Sequence, residues 1–212
     1  MLELGIKLVI SYLLGSLNGA LIVGKFKGVD IRSVGSGNAG GTNALRTQGA
    51  VFAFFVVVID IGKGWVPAAL LPGLALPGIP PDPEVSRIWL TLACGGASVA
   101  GHCFPVWFNF AGGKGAATMI GVLIAVAPGL LLPAAIVFVS VLVFSGYVGL
   151  STISAAAVMP VWLAATEFDK HQPLFVFLVV LAIFIVYTHR SNIRRLRDGT
   201  ENRWDRVMLF HR

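Results

Sequence analysis

Residues 116–148 read AATMIGVLIAVAPGLLLPAAIVFVSVLVFSGYV, which is 33 residues without a charged side chain. A helix needs about 20 apolar residues to cross a bilayer, so this stretch is too long for one crossing and too short for two full ones with a generous loop. Pro128 and Gly129 form a natural break, because proline cannot continue a helix and glycine weakens one. The stretch therefore predicts a tight hairpin of one short and one ordinary helix, residues 116–127 and 130–148.

The whole chain has the composition of a membrane protein. Of its 212 residues, 56% are hydrophobic and only 12% are charged, and the mean hydropathy is +0.83. A soluble domain of this size could not bury so much apolar surface. The sequence predicts a single all-α integral membrane domain over residues 1–212, a compact bundle of seven transmembrane helices, or six if the short helix is re-entrant. The predicted spans are residues 2–23, 50–71, 88–108, 116–127, 130–148, 152–166 and 174–189.

The first apolar run is expected to stay as a helix rather than be cleaved as a signal peptide. It is too long for the apolar region of a signal peptide, and no small-residue cleavage site follows it. Cys94 and Cys103 are nine residues apart in a single predicted helix, so they cannot form a disulfide with each other.

Basic residues are distributed unevenly between the two sides of the predicted bundle. One side holds twelve of the sixteen, namely Lys25, Lys27, Arg32, Arg46, Lys114, Arg190, Arg194, Arg195, Arg197, Arg203, Arg206 and Arg212. The opposite side holds only Lys7, Arg87 and Lys170. Cytoplasmic connections carry the excess of Lys and Arg, so the C-terminus is predicted in the cytoplasm and the N-terminus outside it. Residues 30–48, 109–115 and 189–197 then share the cytoplasmic face.

The first of these segments has the composition of an anion-binding loop. Residues 35–43 read GSGNAGGTN, in which four glycines let backbone N–H groups converge, while hydroxyl and amide side chains add neutral donors. Arg46 follows one helical turn after Asn43 and could clamp a phosphate with two hydrogen bonds. The alternative is a flexible linker with a surface arginine. The candidate residues are Ser36, Gly37, Asn38, Thr42, Asn43 and Arg46.

The second segment, residues 109–118, reads NFAGGKGAAT and opens a predicted helix. Free N–H groups at a helix N-terminus, three glycines and one lysine suit a phosphate. The spacing is not that of a nucleotide-binding P-loop, because Gly115 follows Lys114 where serine or threonine should stand. The alternative is a loop whose lysine only fixes topology. The candidates are Gly112, Gly113, Lys114 and Gly115.

Other polar residues leave two interpretations open. Asp60 and Lys63, one turn apart in an apolar run, are either an ion pair that lowers the cost of burial or part of a site. His102 is either a buried hydrogen-bonding histidine or a reacting one. His189 and Asn192 could offer donors to a site, whereas the arginines that follow suit anionic lipid headgroups.

Several classes of ligand are excluded by the composition. Too few Cys, His and acidic side chains lie near one another for a metal cage, and we expect no metal and no cofactor. Aromatic residues lie inside the apolar runs rather than among basic residues, which argues against nucleic acid.

The motifs together resemble a known family. They are SGN-x-G-x-TN at residues 36–43, D-x-x-KG-x-x-P at 60–67, GH-x-x-P and GGKG-x-AT within 101–118, and HR-x-N at 189–192. In order and spacing, over about residues 10 to 198, they are similar to the bacterial acyl-phosphate-dependent glycerol-3-phosphate acyltransferases, the PlsY family.

The resemblance implies a seven-helix enzyme of the bacterial inner membrane, with a periplasmic N-terminus and an active site facing the cytoplasm. The enzyme would move a fatty acyl group from acyl phosphate to sn-glycerol 3-phosphate, giving lysophosphatidate and phosphate, the first acylation of phospholipid synthesis. Neither acyl-CoA nor acyl carrier protein would be the donor. We expect a monomer in contact with membrane lipid.

Residue by residue, the resemblance places the family's functional positions on Ser36, Thr42, Asn43, Arg46, Gly112, Gly113, Lys114, Gly115, His189 and Asn192. Ser36, Thr42 and the loop N–H groups are expected to hold the acyl phosphate. The residues expected to receive glycerol 3-phosphate and polarise the reacting groups are Arg46, Lys114, His189 and Asn192. A phosphate oxygen of the substrate could take the hydroxyl proton, since no side chain is an obvious general base.

The chain departs from the family pattern at four positions. Gly41 replaces alanine, Gly149 replaces the first serine of an S-L-x-S segment, and Thr152 replaces the second but keeps a hydroxyl and stays a substrate-binding candidate. Ser191 replaces the glutamate of HREN and so removes a carboxylate that the family uses for support.

Two other kinds of function compete with this prediction, a transporter or channel and a different lipid enzyme. A small polytopic anion transporter or channel with glycine-rich phosphate loops would explain Asp60 and Lys63, but the two halves of the chain show no internal repeat. An acyl-CoA-dependent acyltransferase would need H-x-x-x-x-D, but Trp107, Val176 and Arg194 stand five residues after the histidines at 102, 171 and 189. Metal-dependent phosphotransferases need several neighbouring aspartates, and the ten acidic residues here are scattered.

Overall fold

A computed structural model of the chain describes residues 1–210, apart from the side chain of Lys170. Arg212, counted above among the twelve basic residues of one side, lies outside the described residues. Within them the chain is helical, with ten α-helices, short 3-10 turns and no β-strand. It divides into two compact units, the first from Met1 to Val126 and the second beginning at Ala127.

The first unit contains six helices: α1 Leu2–Gly15, α2 Gly19–Lys27, α3 Gly41–Gln48, α4 Ala50–Leu70, α5 Arg87–Cys103 and α6 Ala116–Val126. Helix α4 packs against α5 and α6, and α1 packs on α5. The second unit contains four: α7 Leu131–Ser145, α8 Val148–Thr166, α9 Gln172–Thr188 and α10 Arg190–Arg197. Here α8 packs against both α7 and α9.

Three helical stretches are long and apolar enough to cross a membrane alone: Ala50–Gly73, Pro128–Ser145 and Val148–Thr166. The total is five if the pair α1 and α2, bent by 41°, and the pair α9 and α10, bent by 55°, each form one span. The two remaining predicted crossings correspond to α5, with 17 residues, and the short apolar α6, with 11.

Glycines let the helices of the first unit approach closely. Gly64 on α4 and Gly121 on α6 each face a backbone carbonyl of the other helix, which a Cβ atom would strike. Gly15 and Gly101 have the same relation between α1 and α5. Small residues at such contacts are typical of helices packed in a membrane, where close van der Waals contact replaces the hydrophobic effect.

The outward faces of the helices are apolar. On α4, the side chains of Val51, Phe54 and Val58 are 74%, 62% and 51% exposed. On α9, Val180 and Ile183 are exposed as well. Large exposed apolar faces mark contact with a membrane or a partner, and their presence on helices of spanning length fits lipid-facing surfaces.

Local chemistry shifts several helix ends from the predicted spans. The first run is broken after Gly15, because the Asn18 side chain caps α2 by accepting a hydrogen bond from the Leu21 N–H at 3.2 Å. Helix α5 ends at Cys103 rather than at residue 108, since Pro105 cannot continue it. One polar residue or one proline changes the mean hydropathy of an apolar run very little, so hydropathy alone does not predict these helix ends.

Two further boundaries differ in the second unit. Gly146, with a φ of +76°, ends α7, and α8 begins at Val148 rather than at residue 152. The polar start of α8 is tolerated because Ser151 donates its hydroxyl hydrogen bond to the Tyr147 carbonyl at 2.9 Å.

Candidate active site

The first glycine loop is held in shape by the side chain of Asn43. Its Nδ2 donates to the carbonyls of Ile31 at 3.1 Å and Val34 at 3.0 Å, and its Oδ1 accepts from the Ser36 N–H at 3.0 Å. Asn43 is buried, and these bonds occupy both ends of its amide. The tight turn also requires glycine at Gly37, whose φ of +70° disfavours any side chain.

Asn18, which lies at the break in the first predicted span, also supports this loop. Asn18 is fully buried and donates from Nδ2 to the Ala39 carbonyl at 3.2 Å. The same side chain caps α2, so one amide fixes both the start of that helix and the middle of the loop. The Asn18 side chain therefore has two structural partners, although it lies in an apolar run.

The second loop runs against the end of α5 and meets the first. The N–H groups of Gly112 and Gly113 donate to the carbonyls of Cys103 at 3.2 Å and His102 at 3.1 Å. A Cβ atom on Gly113 would strike the His102 ring and lie 2.7 Å from the Ala39 carbonyl. Only glycine fits where the two loops touch.

Arg32 joins the two loops from the other side. Its Nη1 donates to the carbonyls of Phe108 at 3.1 Å and Ala111 at 3.3 Å, while its Nη2 lies 2.8 Å from Asp30 Oδ2. Hydrogen bonds from the Arg32 side chain and backbone N–H hold the pKa of Asp30 below its ordinary value, and the Asp30 carboxylate raises the pKa of Arg32. The pair is therefore ionised at neutral pH, and the guanidinium keeps its geometry.

A buried charged cluster lies beneath the loops, and we name Asp60, Lys63 and His102 the Asp60 cluster. Asp60 Oδ1 lies 2.9 Å from Lys63 Nζ and accepts from the Gly19 N–H at 3.0 Å, so the ion pair considered from the sequence is present. Lys63 also donates to the Leu17 carbonyl at 3.2 Å.

The Asp60 cluster is not fully satisfied. Asp60 Oδ2 has no hydrogen-bond partner within residues 1–210. His102 Nδ1 lies 3.4 Å from Asp60 Oδ1 without the alignment of a hydrogen bond. Through His102, the cluster contacts the second loop at Gly113.

Both loops end at helix N-termini. Helix α3 begins at Gly41 and α6 at Ala116, and the first N–H groups of a helix have no partner within it and carry partial positive charge. Thr42 lies in the first turn of α3, the exposed Arg46 lies one turn further, and the half-buried Lys114 precedes α6. A phosphate is the kind of ligand that such an arrangement binds.

The sequence predicts that the backbone N–H groups of the glycine loops converge on an anion, but four of them have partners within the protein. The N–H groups of Ser36, Gly37, Gly112 and Gly113 all donate to oxygens of the protein. They shape the loops, whereas the first N–H groups of α3 and α6 have no partner within their own helices. Phosphate binding by these residues, by Asn38 and Asn43, and by Gly115, which has a φ of +89°, stays a prediction.

The remaining candidates lie in the second unit. His189 is buried, and its Nδ1 lies 2.8 Å from the Ile185 carbonyl. A carbonyl can only accept, so Nδ1 carries the proton and Nε2 is the acceptor of the neutral ring. Thr152 is buried on α8 and donates to the Val148 carbonyl at 2.9 Å.

Asn192 has two contacts that the sequence did not suggest. Its Nδ2 donates to Glu201 Oε1 at 2.7 Å. On the other side it packs against Gly149, where a Cβ atom would lie 2.7 Å from that nitrogen. Of the supporting residues, Asn18 had a signal in the sequence, as an amide in an apolar run, whereas Arg32 and Glu201 had none beyond their charge.

The helices are apolar and of spanning length, and two glycine loops touch at Gly113 and lead into the N-termini of α3 and α6, near which Arg46 and Lys114 lie. This is the arrangement of an integral membrane protein with a site suited to a phosphate-bearing ligand. The family model described as glycerol-3-phosphate acyltransferase matches residues 5–199. The chain belongs to this family, as the motifs predicted.

Similar proteins agree over nearly the whole length. A glycerol-3-phosphate acyltransferase of Chlorobaculum tepidum is 39% identical over 92% of this chain and 94% of that one. One of Geotalea daltonii is 42% identical over 91% and 93%. The crystal structure of PlsY, an integral membrane glycerol 3-phosphate acyltransferase in its glycerol 3-phosphate form, is 35% identical with a TM-score of 0.82 and covers 94% of each chain. The lysophosphatidic acid form of PlsY gives 34% identity and a TM-score of 0.81.

Proposed function

We propose that this protein transfers a fatty acyl group from acyl phosphate to the C1 hydroxyl of sn-glycerol 3-phosphate. The hydroxyl oxygen attacks the acyl carbon, the bond from that carbon to the phosphate oxygen breaks, and phosphate leaves with the electron pair. The hydroxyl proton passes to a phosphate oxygen. The products are 1-acyl-glycerol 3-phosphate and inorganic phosphate, in the first acylation of phospholipid synthesis.

One observation carries this proposal beyond the family match. Two glycine loops touch at Gly113, each leads into a helix N-terminus, and Arg46 and Lys114 accompany them within the first unit. Both substrates and both products carry phosphate, so fixed donors and cations are the main requirement. An acyl phosphate is already activated, and positioning with charge stabilisation is sufficient to accelerate its transfer.

The proposed roles follow the residue types. Ser36, Thr42 and the first N–H groups of α3 hold the acyl phosphate, while Arg46 and Lys114 bind the phosphate of glycerol 3-phosphate. His189 and Asn192 are proposed to polarise reacting groups, and Thr152 to contribute a hydroxyl. Residues proposed to shape the phosphate sites are Gly37, Asn38, Asn43, Gly112, Gly113 and Gly115. The reaction is proposed to need no metal, cofactor, acyl-CoA or acyl carrier protein.

We also propose a single seven-span domain, monomeric, in the bacterial inner membrane, with a periplasmic N-terminus and a cytoplasmic C-terminus and active site. The uneven distribution of Lys and Arg supports this orientation. Labelling with a membrane-impermeant thiol reagent in spheroplasts tests it. Glu84→Cys and Ser191→Cys both place the thiol at an exposed position. Glu84→Cys should react and Ser191→Cys should react only after lysis, whereas the reverse pattern would invert the topology.

The reaction is tested with purified protein in detergent. Acyl phosphate and glycerol 3-phosphate should give equal amounts of phosphate and lysophosphatidate, and acyl-CoA should give none. Arg46→Ala and Lys114→Ala should each abolish most turnover at an unchanged melting temperature. The proposal fails if acyl phosphate gives no product or if acyl-CoA serves equally well.

A further inference from the structure

The last described segment of the chain folds back onto the second unit. After α10, the Thr200 N–H donates to the Arg195 carbonyl at 2.8 Å. The Trp204 N–H donates to the Gly146 carbonyl at 2.9 Å, and the Leu209 N–H to the Val143 carbonyl at 3.0 Å. These bonds tie residues 199–209, which we name the tail, to the ends of α7 and α10.

Glu201 lies between those attachment points and is turned inward. Its side chain is only 4% exposed, although it carries a charge and belongs to a surface segment. Oε1 accepts from Asn192 Nδ2 at 2.7 Å, and Oε2 accepts from Arg195 Nε at 2.6 Å. A buried carboxylate is costly unless it is paired and hydrogen-bonded, and here both oxygens are.

The Asn192 side chain is confined on the other side by α8. A Cβ atom at Gly149 would lie 2.7 Å, 2.8 Å and 3.0 Å from Nδ2, Cγ and Cβ of Asn192, so the asparagine occupies the space that a side chain at 149 would need. The amide is therefore fixed between a glycine and a carboxylate. With Nδ2 turned to Glu201, the orientation of its Oδ1 is set as well.

We propose that Glu201 is a positioning residue that acts through Asn192, which rests on the role given to Asn192 in the proposed function. Two of the positions at which the chain departs from the family pattern, 149 and 191, adjoin Asn192. Gly149 leaves room for the Asn192 side chain, and Ser191 supplies no carboxylate. Glu201 brings one from the tail. It lies beyond residue 199, where the family match ends.

The test compares Glu201→Ala, Asn192→Ala and the double variant in acyl transfer from acyl phosphate. Removing the charged acceptor should lower kcat about tenfold, and Asn192→Ala should lower it more. Because Glu201 acts through Asn192, Glu201→Ala should cost nothing further in the Asn192→Ala background. Glu201→Gln, which keeps an acceptor oxygen, should recover most of the loss and serves if the alanine variant does not fold.

Asp205→Ala is the matched control, since it removes a carboxylate of the same tail that is 54% exposed and 3.4 Å from Arg203. It should leave kcat unchanged. A wild-type kcat in Glu201→Ala would overturn the proposal. So would a loss of kcat on changing Glu201 to Ala that is as large in the Asn192→Ala background as in the wild type. A fully active Asn192→Ala variant would instead contradict the role of Asn192, and an inactive wild type would contradict the proposed function.

Discussion

The first unit holds two groups of charged side chains among apolar helices, and they differ in how their polar atoms are satisfied. One group, Glu3, Lys7, Asp82 and Arg87, is named the Glu3 cluster. Glu3 Oε1 accepts from Lys7 at 2.7 Å and Arg87 at 2.9 Å, and Oε2 accepts from the Asp82 N–H at 2.9 Å. Lys7 also donates to the Pro72 carbonyl at 3.1 Å. In the Asp60 cluster, by contrast, Asp60 Oδ2 finds no partner among the described residues.

The two clusters also connect different parts of the first unit. The Glu3 cluster ties the start of α1 to the proline-rich connection after α4 and to the start of α5. The Asp60 cluster ties the break between α1 and α2 to α4 and, through His102, reaches Gly113 of the second loop. Buried polar atoms without partners are costly and concentrate at functional sites. We infer that the Glu3 cluster stabilises the fold, whereas the Asp60 cluster positions the loops.

The largest effect is expected where the Asp60 cluster meets the loops. In Gly113→Ala, the new Cβ must displace the His102 ring or the Ala39 carbonyl, and a misplacement near 1 Å lowers kcat/KM about a hundredfold. Gly62→Ala is the control, because nothing lies within 4 Å of its Cβ position. Steady-state kinetics should show the loss in Gly113→Ala only. Equal rates in the two variants would mean that loop contact does not set the site.

Neutralising the Asp60 cluster should have the next largest effect. Asp60→Asn alone leaves Lys63 buried without its ion partner and should destabilise the protein by about 3–5 kcal/mol. The double change Asp60→Asn with Lys63→Met removes both charges and should recover most of that stability. If the cluster positions the loops, kcat/KM of the double variant should remain about tenfold low.

Thermal unfolding and kinetics on the same preparations separate the two effects. A double variant with wild-type stability and wild-type kcat/KM would assign Asp60 and Lys63 to stability alone. The comparison with the Glu3 cluster would then lose its functional meaning.

A smaller effect is expected from Arg32, which joins the loops without touching the cluster. The single ammonium nitrogen of lysine cannot stand at the positions of both Nη1 and Nη2 of Arg32, so Arg32→Lys should lower kcat/KM about threefold by loosening the second loop. Lys27→Arg on the exposed end of α2 is a control of comparable size change. An unchanged kcat/KM in Arg32→Lys would show that the contact of Gly113 with the first loop is sufficient to position the second loop.

The sequence was sufficient for the parts of this fold that depend on near neighbours. The runs at residues 50–71 and 116–127 correspond closely to α4 and α6, because length and hydropathy define a helix in lipid. The glycine loops and the Asp60–Lys63 pair could also be recognised in the sequence, since the residues of each lie close together along the chain. His189 and Asn192 were candidates both from the residues themselves and from the family motifs, and their role in the site stays a prediction.

What the sequence could not supply are partners distant along the chain. Asn18 bonds Ala39, Arg32 bonds Phe108 and Glu201 bonds Asn192, at separations of 21, 76 and 9 residues. No periodicity in a single sequence links such positions. The break after Gly15 was missed for a related reason, because one asparagine cap changes a helix without changing the mean hydropathy around it.

The smallest effect on turnover is expected from the Glu3 cluster, and it completes the comparison. Glu3→Gln with Lys7→Met is the exact counterpart of the Asp60 double variant, and Arg87 can still donate to the amide oxygen at position 3. Glu3→Gln alone should lower the melting temperature, since Lys7 is fully buried, and the double variant should regain part of it. Turnover well below the melting temperature should stay within about twofold of wild type in both, because hydrogen-bonded charges remote from a site affect only the folded fraction. A loss of kcat/KM as large as that of the Asp60 double variant would show that complete hydrogen bonding does not separate a structural cluster from a positioning one.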